Sequence, residues 1–100
     1  MRIVADSNLR DYWQRHARAR PALEHWRSVV KAADWRSTQD VRGSFSKAKV
    51  LNHERVRFEI SGGDFRMIVA FEFRRQIAFV KFIGTHAEYD GVDALTVSQF

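Results

Sequence analysis

One short segment holds most of the side chains able to move protons: Gly84-Thr85-His86-Ala87-Glu88-Tyr89-Asp90. If a helix begins at His86, Tyr89 lies three residues on and Asp90 four, so all three share a face. An imidazole, a phenol and a carboxylate then converge just past a strand end, a setting for acid–base chemistry. Thr85-x-x-Glu88 fits a capping box, in which hydroxyl and carboxylate satisfy free amides at a helix start. Thr85 and Glu88 are therefore assigned to structure, and His86, Tyr89 and Asp90 to chemistry.

The chemistry that suits this set is metal-free RNA cleavage, which calls for no cofactor. A base takes the proton of a 2′-OH, cations stabilise the charge gathering on phosphorus, and an acid protonates the leaving 5′ oxygen. Histidine fits either proton role because its pKa lies near neutrality. Arginine fits the phosphate because its fork is always charged and binds bidentately. Helix N-terminal amides add anion affinity. The segment itself has no Lys or Arg, so its cations must come from elsewhere: Arg66 first, then Arg55, Arg57 and Lys81. Each of these residues also has a plainer explanation. A lone histidine at a helix start is more often a surface residue, Asp90 could simply pair with it, Tyr89 could be core, and Arg55 and Arg57 could be solvated strand residues.

The elements that must position these groups can be read from periodicity. Residues 2–5 read as a short strand, and Asp6 or Ser7 can cap the helix that follows. In that helix Leu9, Tyr12, Trp13 and His16 recur at helical spacing. Pro21 opens a second helix with a buried stripe of Leu23, Trp26, Val29, Val30 and Ala33. A helical turn is expected near 38–42, with Trp35 beneath it. The period then becomes two. Val56, Phe58 and Ile60 alternate with Arg55, Arg57 and Glu59, and Ser61-Gly62-Gly63-Asp64 turns the chain. Phe65, Met67, Val69, Phe71 and Phe73 then face one way and Arg66, Ile68, Ala70 and Glu72 the other. After the Arg74-Arg75-Gln76 turn, residues 77–83 form the last strand, with Lys81 on the side of Ile77, Phe79 and Ile83. The expectation is an α+β fold in one domain over 1–100. Two N-terminal helices cover one face of an antiparallel sheet that the opening strand joins, and Arg55, Arg57 and Arg66 line a partly open second face.

Composition agrees with a polyanionic partner. The 100 residues carry 45% hydrophobic and 13% aromatic side chains, enough for one core. The net charge is +5, from 17 Lys and Arg against 12 Asp and Glu, and every Lys and Arg lies at or before Lys81. No cysteine is present, which excludes disulfides and thiolate metal sites and permits a reducing cytoplasm. No apolar run approaches the roughly 20 residues of a membrane span, and the start of the chain does not read as a signal peptide.

Two pieces together resemble a known family. Val56-Arg57-Phe58-Glu59-Ile60-Ser61-Gly62-Gly63-Asp64-Phe65-Arg66-Met67-Ile68-Val69, followed by Val80-Lys81-Phe82-Ile83-Gly84-Thr85-His86-Ala87-Glu88-Tyr89-Asp90, is similar to the HigB-type toxins of bacterial type II toxin–antitoxin pairs, within the RelE/ParE superfamily. The resemblance implies a microbial-RNase-like fold. It implies a cytoplasmic, metal-independent endoribonuclease, or mRNA interferase, that cuts mRNA on the ribosome and inhibits translation. It also implies a helix-turn-helix antitoxin of HigA type, with operator DNA reached only through that antitoxin. Arg66 falls where the superfamily places a phosphate-binding arginine, and His86 where many members carry a basic residue. Tyr89 and Asp90 match the family's own motif, while Arg55 and Arg57 fall near positions where RelE-like toxins carry basic residues. Asp64 departs from the usual asparagine and puts an anion near the phosphate site.

Two other functions share this fold. One is a ParE-type toxin that binds DNA gyrase and cuts nothing, which would not need His86, Tyr89 and Asp90. The other is an inactive homologue that only binds its antitoxin.

Overall fold

The computed structural model describes residues 1–100. In chain order it comprises β1 (Arg2–Val4), α1 (Asp6–Arg15), α2 (Arg20–Ala32), α3 (Thr38–Ser44), β2 (Lys49–Val50), β3 (Arg55–Ile60), β4 (Phe65–Glu72), β5 (Ile77–Thr85) and α4 (His86–Asp90). The five strands form one sheet in the order β1-β5-β4-β3-β2. Strands β2 to β5 run antiparallel to their neighbours, and β1 joins the edge parallel to β5. No helix is long and apolar enough to cross a membrane.

Helices α1 and α2 cover one face because their apolar residues recur at helical spacing. Leu9, Leu23, Trp26 and Val30 are fully enclosed against Phe58, Met67, Val69 and Val80. Trp26 meets Phe58 edge-on at 5.6 Å. Such a large buried ring is worth about 3–5 kcal/mol against alanine. Pro21 sits in the first turn of α2, where its missing N–H is no loss. Val29 and Ala33 are only partly buried at the edge of this layer.

The start of α1 differs from the sequence expectation. The capping position is Ala5, in the left-handed region at φ 73°, and no side chain caps the helix. Asp6 is the first helical residue, and its carboxylate is engaged elsewhere. It accepts from Arg27 Nε at 2.5 Å and Nη2 at 2.7 Å, and from Arg10 at 3.1 Å. A bidentate pair with a guanidinium outweighs a single bond from the carboxylate to a backbone amide. Hydrogen bonding to Arg27 holds the Asp6 carboxyl down at about 2, against the opposing effect of burial.

The second face of the sheet is also less open than alternation implies. Ile68, Ala70 and Phe82 point to it, yet each is buried. Helix α4 and the chain after it lie across this face. Arg55 fixes that crossing, because its Nη1 donates to the carbonyls of Ala94 at 3.2 Å and Val97 at 2.9 Å.

A bulge completes the picture. Ile68 pairs with Phe82 and Val69 with Val80, which leaves Lys81 with no opposing residue. The extra residue reverses the alternation, so Ile83 turns into the core instead of sharing the side of Ile77 and Phe79. Gln99 closes the exposed edge there: its amide donates to Lys81 O at 2.8 Å, and its side-chain oxygen accepts from Ile83 N at 3.0 Å.

Candidate active site

The site is built on one row across three strands. Glu59 on β3 pairs with Arg66 on β4, which pairs with Gly84 on β5. Side chains in this row stand on the second face, one register step from Arg57 and Ile68. Gly84 contributes no side chain, and that space is required. A Cβ there would lie 2.7 Å from Phe82 Cζ and 3.2 Å from Glu88 Oε1. Glycine therefore lets α4 settle against the sheet directly opposite Arg66.

Helix α4 starts as its sequence suggests. Thr85 Oγ1 accepts from the Glu88 amide at 3.1 Å, and Glu88 Oε1 accepts from the Thr85 amide at 2.8 Å. The Thr85 amide, and then its hydroxyl, holds the Glu88 carboxyl below the usual range. His86 donates its backbone N–H to Asp64 O at 3.1 Å, which ties the helix start to the β3–β4 turn. In that turn Gly62 and Gly63 adopt φ of 70° and 98°.

Tyr89 carries α4 onto the arginines. The Arg66 guanidinium lies 5.5 Å from the centre of its ring and that of Arg57 5.9 Å. Glu59 reaches both: its Oε1 is 3.6 Å from Arg57 Nη2 and 3.8 Å from Arg66 Nη2. The two arginine side chains keep only 16% and 14% of their surface exposed. Two like charges this close and this buried repel, and a single carboxylate offsets only part of that, leaving the cluster net positive. Both Nε–H groups are buried without an acceptor. Tyr12 OH and Trp26 Nε1 in the core share this condition, and each such donor costs about 1–3 kcal/mol.

His86 and Asp90 sit on the outer surface of α4, with Nε2 to Oδ2 at 3.5 Å. Both are more than half exposed, so the histidine is open to a ligand and the carboxylate can orient it. The geometry thus brings Arg57, Arg66 and Tyr89 together at the junction of α4 with β4 and β5, while His86 and Asp90 pair with each other on the exposed side of α4.

The other candidates lie elsewhere. Arg55 is on the same face but is 9% exposed, with its guanidinium held by the tail carbonyls. Lys81 is the bulged residue, and its Nζ lies 5.5 Å from the centre of the Phe79 ring. Asp64 does not stand as a free anion, because Arg18 pairs with it at 2.6 Å.

A family model described as HigB_toxin, RelE-like toxic component of a toxin-antitoxin system, matches residues 19–92. The chain belongs to this family. The match takes in the arginine cluster and all of α4, and leaves out β1 and α1. Among curated proteins none matches the chain. As a RelE-like toxin it has an antitoxin as its partner.

Sequence reasoning missed one residue of this candidate site. Glu59 reads as the solvated side of an alternating strand, and only its pairing opposite Arg66 reveals that it bridges two cations. The signal available in the sequence is slight: an acidic residue two positions after Arg57, just before a glycine-rich turn.

Proposed function

We propose that this toxin is an endoribonuclease that cuts mRNA by attack of the 2′-OH, without a metal, and so inhibits translation at the ribosome. The observation that carries the proposal is the convergence of Arg57 and Arg66 on the Tyr89 ring, with Glu59 between them. A partly desolvated pair of guanidiniums with unfilled donors suits the extra negative charge that develops on phosphorus in the transition state. Glu59 and the Tyr89 ring hold the forks in place in the absence of substrate. His86, oriented by Asp90, carries at least one of the two proton transfers.

The partner in this proposal is a helix-turn-helix antitoxin of HigA type, and operator DNA is reached only through it. The toxin acts in the cytoplasm, where translating ribosomes are found. The strongly basic chain would draw an acidic antitoxin segment as it draws RNA.

A gyrase-poisoning role would make different use of the same fold. The two separate in cells. On induction without antitoxin, the ribonuclease stops amino-acid incorporation within minutes while DNA synthesis continues. Arrest of DNA synthesis with filamentation, and with translation intact, would overturn the proposal.

A further inference from the structure

We infer that the notch where β2 ends is a subsite for one RNA base next to the scissile phosphate; this rests on the ribonuclease reading above. Strand β2 pairs only with Val56 and Arg57. Beyond it, the β3 edge from Phe58 to Ile60 has no neighbouring strand. The chain at Ser44–Ala48 stands away from that edge and, with Phe58 and Glu59, lines an open cleft of about 280 Å³. That lies just under the roughly 300–1,000 Å³ typical of small-molecule clefts, so it accommodates one planar ring system.

The walls offer what a base needs. Phe45 is partly exposed, and it is held by edge-on contacts with Phe58 at 5.3 Å, Trp35 at 6.1 Å and His25 at 6.3 Å. A fixed aromatic ring is a stacking partner for any base. Hydrogen-bonding groups come from the strand edge. Arg55 turns its amide to Asn52 Oδ1 at 2.7 Å and its carbonyl to the Leu51 amide at 2.8 Å, both on the β2 side. Antiparallel alternation points the amide and carbonyl of Glu59 the same way, into the notch. No backbone bond from the facing Ser44–Ala48 segment reaches them. A donor and an acceptor side by side can read the edge of a base.

Position decides in favour of RNA over a partner strand. Glu59 is a wall of the notch, and its carboxylate also contacts Arg57 and Arg66. The notch and the arginine pair therefore share Glu59 as a common wall, which sets a base in the notch beside a phosphate on the arginines.

The test fills the notch. Toxin freed of antitoxin, wild type and Ser46→Trp, is given a reporter mRNA both in a translating extract and as naked RNA, and the new 5′ ends are mapped. Wild-type cuts should share one base at a fixed offset. Ser46→Trp, folded by circular dichroism, should lose that preference and cut the preferred sites about tenfold more slowly or worse. Phe45→Leu keeps apolar packing but removes the flat ring, and should flatten the preference in the same way; it decides the matter if Ser46→Trp does not fold. A folded variant with the wild-type cut pattern overturns the subsite and leaves the ribonuclease reading standing. The same pattern with lost antitoxin co-purification assigns the notch to a partner strand, and also overturns it. A wild-type protein that cuts no RNA overturns the reading and the subsite together.

Discussion

Arg66 lies with its guanidinium 5.5 Å from the centre of the Tyr89 ring, which links the middle strand of the sheet to the short helix that follows β5. The two residues are 23 positions apart in the chain, and Gly84, directly across from Arg66, makes the contact possible.

Arg66→Ala should abolish growth arrest, with cleavage lowered by about 100-fold or more, the scale on which lost transition-state charge stabilisation acts. Arg66→Lys should recover only part of this, because an ammonium cannot make the planar fork. Growth arrest on induction and single-turnover cleavage are the readouts. Full activity in a folded Arg66→Ala protein would remove the arginine from the site.

In the proposed site Tyr89 acts through its ring. Tyr89→Phe should therefore keep activity to within about tenfold, while Tyr89→Ala should lose about 100-fold as both arginines lose their platform. Equal, severe losses in the two variants would instead give the phenolic hydroxyl a proton-transfer role.

Gly84→Ala places a methyl 2.7 Å from Phe82 Cζ and tight against Glu88. Overpacking of this kind costs about 1–3 kcal/mol. Because α4 must move, activity should fall further than that stability loss explains at a temperature where the protein stays folded. Thermal melts and cleavage assays on one preparation separate the two effects.

Asp6 ties α1 to α2. Its pKa is lowered in the fold from 3.8 to about 2, so the stability it contributes is present above pH 4 and is lost as the pH falls toward 2. A shift of this size corresponds to about 2 kcal/mol. Asp6→Asn should lower the melting temperature at pH 6 to 7, and its stability should vary less between pH 5 and 2 than that of the wild type. Identical acid unfolding curves would contradict the assignment.

Arg55 is expected to act on stability and on the tail, not on phosphate. Arg55→Met should cost about 1–3 kcal/mol, since two charge-assisted bonds to carbonyls are lost, and should make residues 91–100 more open to proteolysis. Limited digestion followed by mass spectrometry reads this directly. A large loss of cleavage activity with an intact tail would return Arg55 to the RNA site.

Much of this architecture could be read from residue order alone. The period-two runs around the Ser61–Asp64 turn place β3 and β4 correctly, and Thr85-x-x-Glu88 marks the start of α4. What escaped were features fixed by contacts distant in sequence. Asp6 looks like a cap until Arg27, on the next helix, takes its carboxylate. By alternation Lys81 shares a side with Ile83, until one extra residue in the β4–β5 ladder breaks the pattern. Arg55 is indistinguishable from Arg57 by pattern, and they part only because the chain after α4 folds back over one of them. Glu59 shows its place only when β3 is paired with β4.

The central claim is metal-free cleavage of RNA by 2′-OH attack. The direct measurement is the chemistry of the cut ends after toxin freed of antitoxin is incubated with mRNA in EDTA, and separately with mRNA on ribosomes stalled beforehand in magnesium. Wild-type toxin should leave new fragments ending in 2′,3′-cyclic phosphate and 5′-hydroxyl, and these should be absent with His86→Ala and Arg66→Ala. Intact mRNA in both settings, or fragments bearing 5′-phosphate, would contradict it.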